Sequence, residues 1–317
     1  MVSATSSMLA ANIRDFQVTY GNRLFNHLSI SISALHYLDA SDAQLSSFYQ
    51  HYTQRLIEQS AHQQIQNPIA QQSEALFIYY QSQLQQQGIE QTLRQELANL
   101  IPGIVAGGFY ALNRLASGIE LKNVEEIAAA LTYWRIYYLD LGTIACVDKS
   151  PPTKILRQLA KVIGHIRFPA GNTCDRIKTV KLLEAFQMSA HQPIEISIEI
   201  VADATIKIYQ MSGDFTMLHA FTGAAALRVI LPFCQDEELA LRYFWQAVVA
   251  SYLSTGSAPM VPTEKSPLMP WTDIFSFCHQ TNNECLIELC RACHQLDDLL
   301  AHDRCHQVAS RQVLLHR

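Results

Sequence analysis

Residues 123–142 read NVEEIAAALTYWRIYYLDLG, and this stretch decides the fold class. Asn123 is a good N-cap, because its side chain can accept a hydrogen bond from a backbone N–H group in the first helical turn. The two glutamates that follow place negative charge at the positive end of the helix dipole, and Gly142 is a typical helix-ending residue. The stretch therefore predicts a helix over 124–141.

Similar helix-capping and helix-ending residues recur on both sides of this helix. Spacings of three and four between apolar residues, with capping residues, prolines and glycines at the ends, predict further helices. They cover 43–58, 72–87, 89–100, 151–163, 174–188, 194–211, 215–231 and 236–253, with two more within 271–300. The start of 194–211 alternates like a strand, but no partner strand is evident nearby, so a helix is predicted there as well.

No linker and no internal repeat divides the chain, so we expect one all-α domain over residues 1–317. Its helices are expected to surround a central pocket. The aromatic side chains expected to line that pocket are Phe109, Tyr110, Trp134, Tyr137 and Trp245. The longest irregular connection, 254–270, holds four prolines. Long connections in compact domains often serve as lids, and this one is a candidate.

The charge of the chain limits its partners. Its net charge is −5 and only 16% of its residues are charged, below the usual quarter. Such low charge indicates much buried helix surface, either in the interior or in a homo-oligomer contact. The basic residues are scattered, which argues against nucleic acid as a partner.

The N-terminal residues lack the basic region and long apolar core of a secretion signal. The uncharged stretches 97–113 and 243–263 are interrupted by glycine, proline, serine or threonine, so neither predicts a membrane span. Eight cysteines without such a signal are expected to be reduced thiols. The expected location is the cytoplasm, with no membrane partner.

One cysteine motif, Cys290-Arg-Ala-Cys293-His294, formally matches the attachment pattern of c-type haem. Haem attachment requires export, and the motif lies inside an apolar helix, so chance explains the match better. An alternative is structural zinc on the two cysteines with His302 or His306, because residues three and four apart share a helix face. No second CxxC motif completes that site.

Further residues are of types that can carry chemistry. His27 precedes an apolar run, and His219 lies among small residues that allow a second helix or a ligand to approach closely. Cys285 and Glu288 are three residues apart, so a thiol and a carboxylate share one helix face. Taken singly, each of these features is also explained by a structural role.

A glycine-rich stretch over 100–115 carries Tyr110 and Arg114, which are four residues apart and share a face. The glycines allow backbone segments to pack tightly. Without further context, the stretch indicates close helix packing with a satisfied arginine.

Taken together and in this order, short motifs along the chain resemble the questin oxidase family. The matching elements are Asn26-His27-Leu28, Ala34-Leu35, Pro102-Gly103, Gly108-Phe109, residues 126–134, 218–222 and 245–253, Trp271, residues 285–289 and Ala292-Cys293. The similarity runs from about residue 20 to about residue 295. Its specificity lies in the order and spacing of the motifs.

The resemblance implies a helical oxidoreductase that oxidatively opens the rings of anthraquinone-like polyketides, with NADPH used by some members. It also implies a non-haem iron, held in part of the family by several histidines and a carboxylated lysine. His27 and His219 match two of the histidine positions. Where the family pattern has a further histidine, this chain has Tyr110, and where it has His-x-x-Lys, this chain has Cys285 and Glu288.

Two interpretations stay open. In the first, His27, His219 and Glu288 anchor an iron in a remodelled oxygenase site, with Cys285 or Tyr110 completing the shell. Tyr110 and Arg114 are then the catalytic candidates, and the substrate is an aromatic or polyketide-type small molecule. In the second, the metal is lost, and the protein binds an apolar small molecule or acts as a scaffold.

Overall fold

The computed structural model describes residues 4–20, 24–57, 68–144, 147–164, 166–168, 171–257, 259–261 and 266–317. The protein is predominantly all-α, which confirms the predicted fold class. In chain order its elements are α1 (Ala4–Asp15), β1 (Thr19–Tyr20), β2 (Leu24–Phe25), α2 (Leu28–Tyr37), α3 (Asp42–Thr53), α4 (Pro68–Leu100), α5 (Tyr110–Glu120), α6 (Val124–Ile136), β3 (Val147–Asp148), α7 (Pro152–Ile163), α8 (Thr173–Lys181), α9 (Glu184–Gln187), β4 (Gln192–Pro193), α10 (Ile198–Ser212), α11 (Phe215–Ile230), α12 (Glu237–Ser254), α13 (Trp271–Cys278), α14 (Glu284–Leu296) and α15 (Arg304–His316).

The chain divides into two compact units. The first unit consists of Met1–Thr92, Asn113–Ile136 and Ser266–Arg317, and the second of Leu93–Leu112 and Tyr137–Lys265. The expectation of a single domain with a central pocket stays a prediction.

In the first unit, α2 is the central helix. Its residues 28–35 are all buried, because α1, α3 and α14 pack against it. A helix that is buried on all sides needs no polar face, and α2 accordingly carries no charged residue. The antiparallel pair β1–β2 directly precedes it.

Three helices near the end of the first unit, α13, α14 and α15, pack against one another. The ring of His306 in α15 stacks on Trp271 in α13, with 4.5 Å between the centroids and 12° between the planes. His306 Nε2 is also 2.5 Å from the backbone oxygen of Met269. These contacts fix the position of α15.

In the second unit, α10 packs along α11, and α12 contacts α7, α8, α10 and α11. Gly223 in α11 allows close approach of Phe109, because a Cβ at that glycine would lie 3.2 Å from the Cβ of Phe109. Phe109 itself has a φ of 71°, and its ring lies 5.3 Å from that of Phe244. The small residues of α11 therefore serve tight packing.

Local capping rules predicted several helix ends correctly. Ser41 caps α3 in a capping box with Gln44, and Asn123 Oδ1 accepts a hydrogen bond from Glu126 N at 3.0 Å. Gly88 interrupts α4 with a φ of 82°, at the position where a helix end was predicted. Ser197 caps α10, so the strand-like start of 194–211 is not a strand, but the helix begins at residue 198.

Other boundaries differ from the sequence prediction. Helix α3 ends at Thr53, and α6 ends at Ile136 rather than at residue 141. After α6 the chain leaves the helix, and the Tyr138 ring packs against Gly103, where a Cβ would collide with it. The predicted helix 174–188 is two helices, α8 and α9. Helices α1 and α15 were not predicted, and no bounds were predicted for α2 and α5.

The connection 254–270 contains neither helix nor strand in its described part beyond Ser254, as predicted. Residues 258 and 262–265 lie outside the described residues. Its role as a lid stays a prediction.

Among the described residues, one helical stretch, Phe215–Phe233, is long and apolar enough to cross a membrane by length and composition alone. Within it, 72% of the apolar window is buried inside the protein. Such burial is typical of a core helix, and the finding is weak evidence for a membrane span.

Candidate functional site

His27 lies between β2 and α2, where it is the N-cap residue of α2. Its backbone N–H donates a hydrogen bond to the Tyr52 hydroxyl at 2.9 Å. The preceding Asn26 is buried, and its side chain donates to Asn12 Oδ1 at 2.7 Å and accepts from the N–H of Leu28 at 3.0 Å. These bonds hold the backbone from which the imidazole of His27 projects.

Glu288 in α14 is the partner of this imidazole, although 261 positions separate the two residues. His27 Nδ1 lies 3.1 Å from Oε1 and 3.2 Å from Oε2 of Glu288. An ionised carboxylate can only accept, so Nδ1 carries the proton and donates. Ser31, four residues after His27, donates from its hydroxyl to Oε1 at 2.9 Å. We call this arrangement the His27–Glu288 pair.

The electrostatics of the pair favour a charged imidazole. Burial lowers the pKa of His27, but the charge of Glu288 and its hydrogen bond outweigh burial and raise that pKa above the ordinary value. The Glu288 side chain is 4% exposed and that of His27 is 14% exposed. The imidazole is therefore the member of the pair that solvent or a ligand can reach.

The surroundings of the pair add a second ionic contact. Arg55 lies over the Tyr52 ring, 3.7 Å from its centroid, and its guanidinium is 2.9 Å from Oε1 of Glu284. Burial, together with the carboxylates of Glu288 and Glu284, raises the pKa of the Cys285 thiol well above its usual range. Cys285 is thus a protonated thiol rather than a ready thiolate ligand.

Arg114, a catalytic candidate from the sequence, forms a buried ion pair in the first unit. Its Nε and Nη2 donate to the two carboxylate oxygens of Glu126 at 2.8 Å and 3.2 Å. Both side chains are at least 95% buried. Such a fork-to-carboxylate pair holds α5 to α6 and fits a structural role. Its catalytic role stays a prediction.

Tyr110 and His219 belong to the second unit. Tyr110 is 2% exposed at the start of α5. His219 is half-buried in α11, and its ring stands edge-on to that of Phe215, with 4.4 Å between the centroids. The structure thus brings His27 and Glu288 together within the first unit, and it places Tyr110 and His219 in the second.

The aromatic residues expected to line a pocket have mixed positions. Phe109 and Trp245 are fully buried core side chains of the second unit, where Trp245 Nε1 donates to the backbone oxygen of His191 at 2.6 Å. Trp134 is fully buried in the first unit. Tyr137 is 41% exposed. Their common role as a pocket lining stays a prediction.

The metal donors do not assemble among the described residues. There, no three histidine, cysteine, aspartate or glutamate side chains are grouped so that they could hold a metal ion. Within the first unit this applies to His27, Glu288 and Cys285, and to the zinc alternative at Cys290 and Cys293. The donor set therefore does not fit a ready metal centre, and the iron site stays a prediction.

Sequence reasoning missed two members of the network around His27. Ser31 could have been found, because a residue four positions after His27 lies on the same helix face. Tyr52 lies inside the predicted helix 43–58 but was not among the candidate residues. Nothing in its local sequence signals that its hydroxyl binds the backbone of His27.

The comparison with protein families decides the membership of the chain. A family described as Questin oxidase-like matches residues 24–293 of the 317. The chain belongs to this family. Membership of the questin oxidase-like family suggests an oxidoreductase. No curated protein matches the chain.

The family match covers the candidate site. The His27–Glu288 pair lies inside the questin oxidase-like region, as do Tyr110, His219 and Cys285. Helices α1 and α15 lie outside it. The resemblance expected over about 20–295 is therefore confirmed with nearly the same limits.

Proposed function

We propose that the protein is a questin oxidase-like oxidoreductase that acts on an aromatic or polyketide-type small molecule, and that the His27–Glu288 pair handles a proton in its site. The observation that carries this proposal is the buried carboxylate held against Nδ1 of a histidine that keeps part of its own surface exposed. A carboxylate in this position fixes the tautomer and the orientation of the ring. It also favours the protonated imidazole.

The chemistry of such a pair suits a phenolic substrate. A protonated imidazole can donate a hydrogen bond to a phenolate oxygen and stabilise its charge, and a neutral one can accept the phenol proton. The raised pKa of His27 favours the protonated state, which is the one that stabilises a phenolate. An electron-rich phenolate is easier to oxidise than the phenol, so proton transfer would prepare the ring for oxidation.

Oxidation also requires dioxygen as the electron acceptor, and the family resemblance leads us to expect iron to activate it and NADPH to supply electrons. Non-haem iron would supply dioxygen activation if bound. The geometry does not offer Glu288 as a ready iron ligand, because its carboxylate is already engaged by His27 and Ser31. A carboxylate so placed more often orients a histidine from behind. The proton transfer proposed for His27 does not depend on the metal.

A second candidate function is a family member that binds the aromatic molecule without oxidising it, or serves as a scaffold. The observation that favours it is the lack of a metal-holding group of three donors within the described ranges. In that case the His27–Glu288 pair would only bind a phenolic oxygen or hold α2 to α14.

The test uses dihydroxyanthraquinone, whose visible absorption shifts to longer wavelength when a phenol group is deprotonated. The purified protein is titrated with it, and oxygen uptake is then followed with NADPH, with and without added ferrous iron. We expect binding with a long-wavelength shift. We also expect that H27Q and E288Q lose the shift and at least about tenfold of any oxygen uptake, because the charged imidazole that stabilises the phenolate, or its orienting carboxylate, is gone.

The matched control is H36Q, at an exposed histidine in the same helix α2. It should behave like the unchanged protein. A shift that survives in H27Q would contradict the role of the pair. Binding without oxygen uptake under every condition would favour the binding protein, and no binding at all would contradict both functions.

A further inference from the structure

The guanidinium of Arg55, just after the end of α3, is joined to the His27–Glu288 pair by a closed ring of contacts in the first unit. Arg55 Cζ lies 3.7 Å from the centroid of the Tyr52 ring, and the hydroxyl of this tyrosine accepts from the N–H of His27 at 2.9 Å. On its other side, Arg55 Nη2 lies 2.9 Å from Oε1 of Glu284. Glu284 and Glu288 are four residues apart in α14, so they share one helix face. The ring of contacts therefore holds the guanidinium and the imidazole over the same face of α14.

Exposure separates the charges of this ring by sign. The side chain of Arg55 is 38% exposed and that of its partner Glu284 is 21% exposed. His27 is likewise more exposed than Glu288. A ligand that approaches from solvent thus meets two positive groups first, with their carboxylates behind them. Because Coulomb attraction weakens with distance, this order favours an anionic ligand.

The Arg55 guanidinium is supported by aromatic rings and keeps donors for a ligand. Tyr52, over which it lies, is buried, and the centroid of the Tyr20 ring in β1 is 5.8 Å away. A guanidinium has five N–H donors, and one carboxylate engages two of them in a fork. The remaining donors can bind a second acceptor. An ion pair as exposed as Arg55–Glu284 contributes little to stability, so the fold alone explains little of this arrangement.

We propose that the substrate carries a carboxylate in addition to its phenol, and that Arg55 binds this carboxylate while His27 binds the phenol oxygen. The inference rests on the proposed function, because it assigns a second anchoring group for the same substrate. The planar fork of an arginine matches the two oxygens of a carboxylate. Arg55 is then a specificity-determining residue that orients the ring relative to His27 and takes no part in proton transfer. The ligand class is an aromatic hydroxy-carboxylic acid.

The test compares two ligands that differ by one group, a dihydroxyanthraquinone and the same compound with a carboxylate on its ring. Each is titrated into the whole protein and followed by its visible absorption. The carboxylate compound should bind at least about tenfold more tightly, because it gains charge-assisted hydrogen bonds. Its methyl ester, which lacks the charge, should bind like the parent compound. Added salt should reduce the preference, since the Arg55 side chain is half-exposed.

Variants at Arg55 separate this inference from the proposed function. R55Q should bind both compounds equally, yet it should keep the long-wavelength shift of the parent compound, which depends on His27. R55K should keep part of the preference, because a point charge remains without the fork. R14Q is the matched control, since Arg14 also pairs with a carboxylate at the surface of the first unit, and it should keep the full preference. Melting curves check that the three variants fold.

The outcomes tell the two proposals apart. Equal binding of both compounds by the unchanged protein, or a preference that survives in R55Q, would overturn the role of Arg55, even where the long-wavelength shift still supports the proposed function. A preference lost equally in R14Q would mean that general surface charge attracts the ligand, and it would overturn that role as well. Binding of neither compound would contradict both proposals.

Discussion

Two histidines, one in each unit, are affected by burial in the same way but differ in charge. His191 in the second unit is 1% exposed, and its ring stacks on Phe186 with 14° between the planes. Burial lowers its pKa to about 4, although Ser189 lies 2.9 Å from its Nδ1. His27 in the first unit also loses solvent, yet its pKa is raised. The difference is the carboxylate of Glu288.

This contrast shows that a neighbouring charge decides whether a buried histidine is protonated. Hydrogen bonding to Ser189 raises the pKa of His191 too little to offset burial. A carboxylate beside a ring nitrogen also stabilises the positive charge. The first unit therefore holds a buried histidine whose protonated form is favoured. The second holds one that stays neutral as part of the core.

The largest expected effect concerns His191 in acid. Its folded pKa is lowered, so the unfolded chain takes up the proton first, and stability falls as the pH drops below about 6.5 and keeps falling until about 4. The full loss is about 3 kcal/mol. H191Q, which stays neutral, should lack this loss. Urea unfolding between pH 7 and pH 4 measures it, and an equal acid sensitivity in H191Q would show that the ring is charged when folded.

The second effect removes the carboxylate from the other histidine. E288Q should lose about 2 kcal/mol of stability, because a charged pair and its hydrogen bonds are replaced by a neutral contact. The pKa of His27 is raised in the fold, so the pair stabilises fully below about pH 6.5, and this stabilisation is lost as the pH rises through the folded pKa. The deficit of E288Q in urea unfolding should therefore be largest at low pH.

E284Q is the control for E288Q, because it removes a neighbouring carboxylate that pairs with the half-exposed Arg55. It should cost clearly less, since exposed ion pairs contribute little. If E288Q and E284Q were equally stable at every pH, the His27–Glu288 pair would contribute no more to stability than the Arg55–Glu284 pair.

A third change places a carboxylate beside His191, as Glu288 lies beside His27. S189D places a carboxylate next to Nδ1 of His191 and should raise the pKa of that ring by roughly one unit or more, worth about 1.4 kcal/mol. NMR titration of the imidazole protons measures it. S189N, which offers a neutral acceptor of similar size, should leave the pKa low. A rise in both variants would mean that hydrogen bonding alone decides the charge.

The smallest effect concerns the hydroxyl that supports Glu288. S31A removes the donor to Oε1 and should cost about 1 kcal/mol in urea unfolding. Ser29 offers a matched control in the same helix, because its buried hydroxyl has no hydrogen-bond partner among the described residues. S29A should be neutral or slightly stabilising. Equal losses in the two variants would show only the cost of altering α2.

The sequence predicted the fold class and many helix ends because capping is local. Ser41, Asn123 and Gly88 each act within one helical turn of their own position. Two helices were missed because their buried faces are partly polar or weakly apolar. Helix α1 buries Thr5, Leu9 and Asn12, and α15 buries Cys305, Val308, Ala309, Ser310 and Val313. The helical period was present, but not in strongly apolar residues.

The candidate site was harder to predict, because its parts meet only through the fold. The resemblance to the family singled out His27 and Glu288, and the structure places them in contact. The resemblance could not show that the Glu288 carboxylate faces the His27 ring. The sequence also could not show that Arg114 in α5 pairs with Glu126 in α6. No local pattern predicts that these two side chains meet. Such pairings depend on tertiary packing.

The reach of α15 beyond the family match has a practical consequence. A recombinant fragment trimmed to residues 24–293 would lack the ring of His306 that covers one face of Trp271. It would also leave α14 without its neighbour α15. Newly uncovered indole and thiol surfaces promote self-association. We therefore expect such a fragment to precipitate or to cross-link on storage, whereas the full chain stays dispersed.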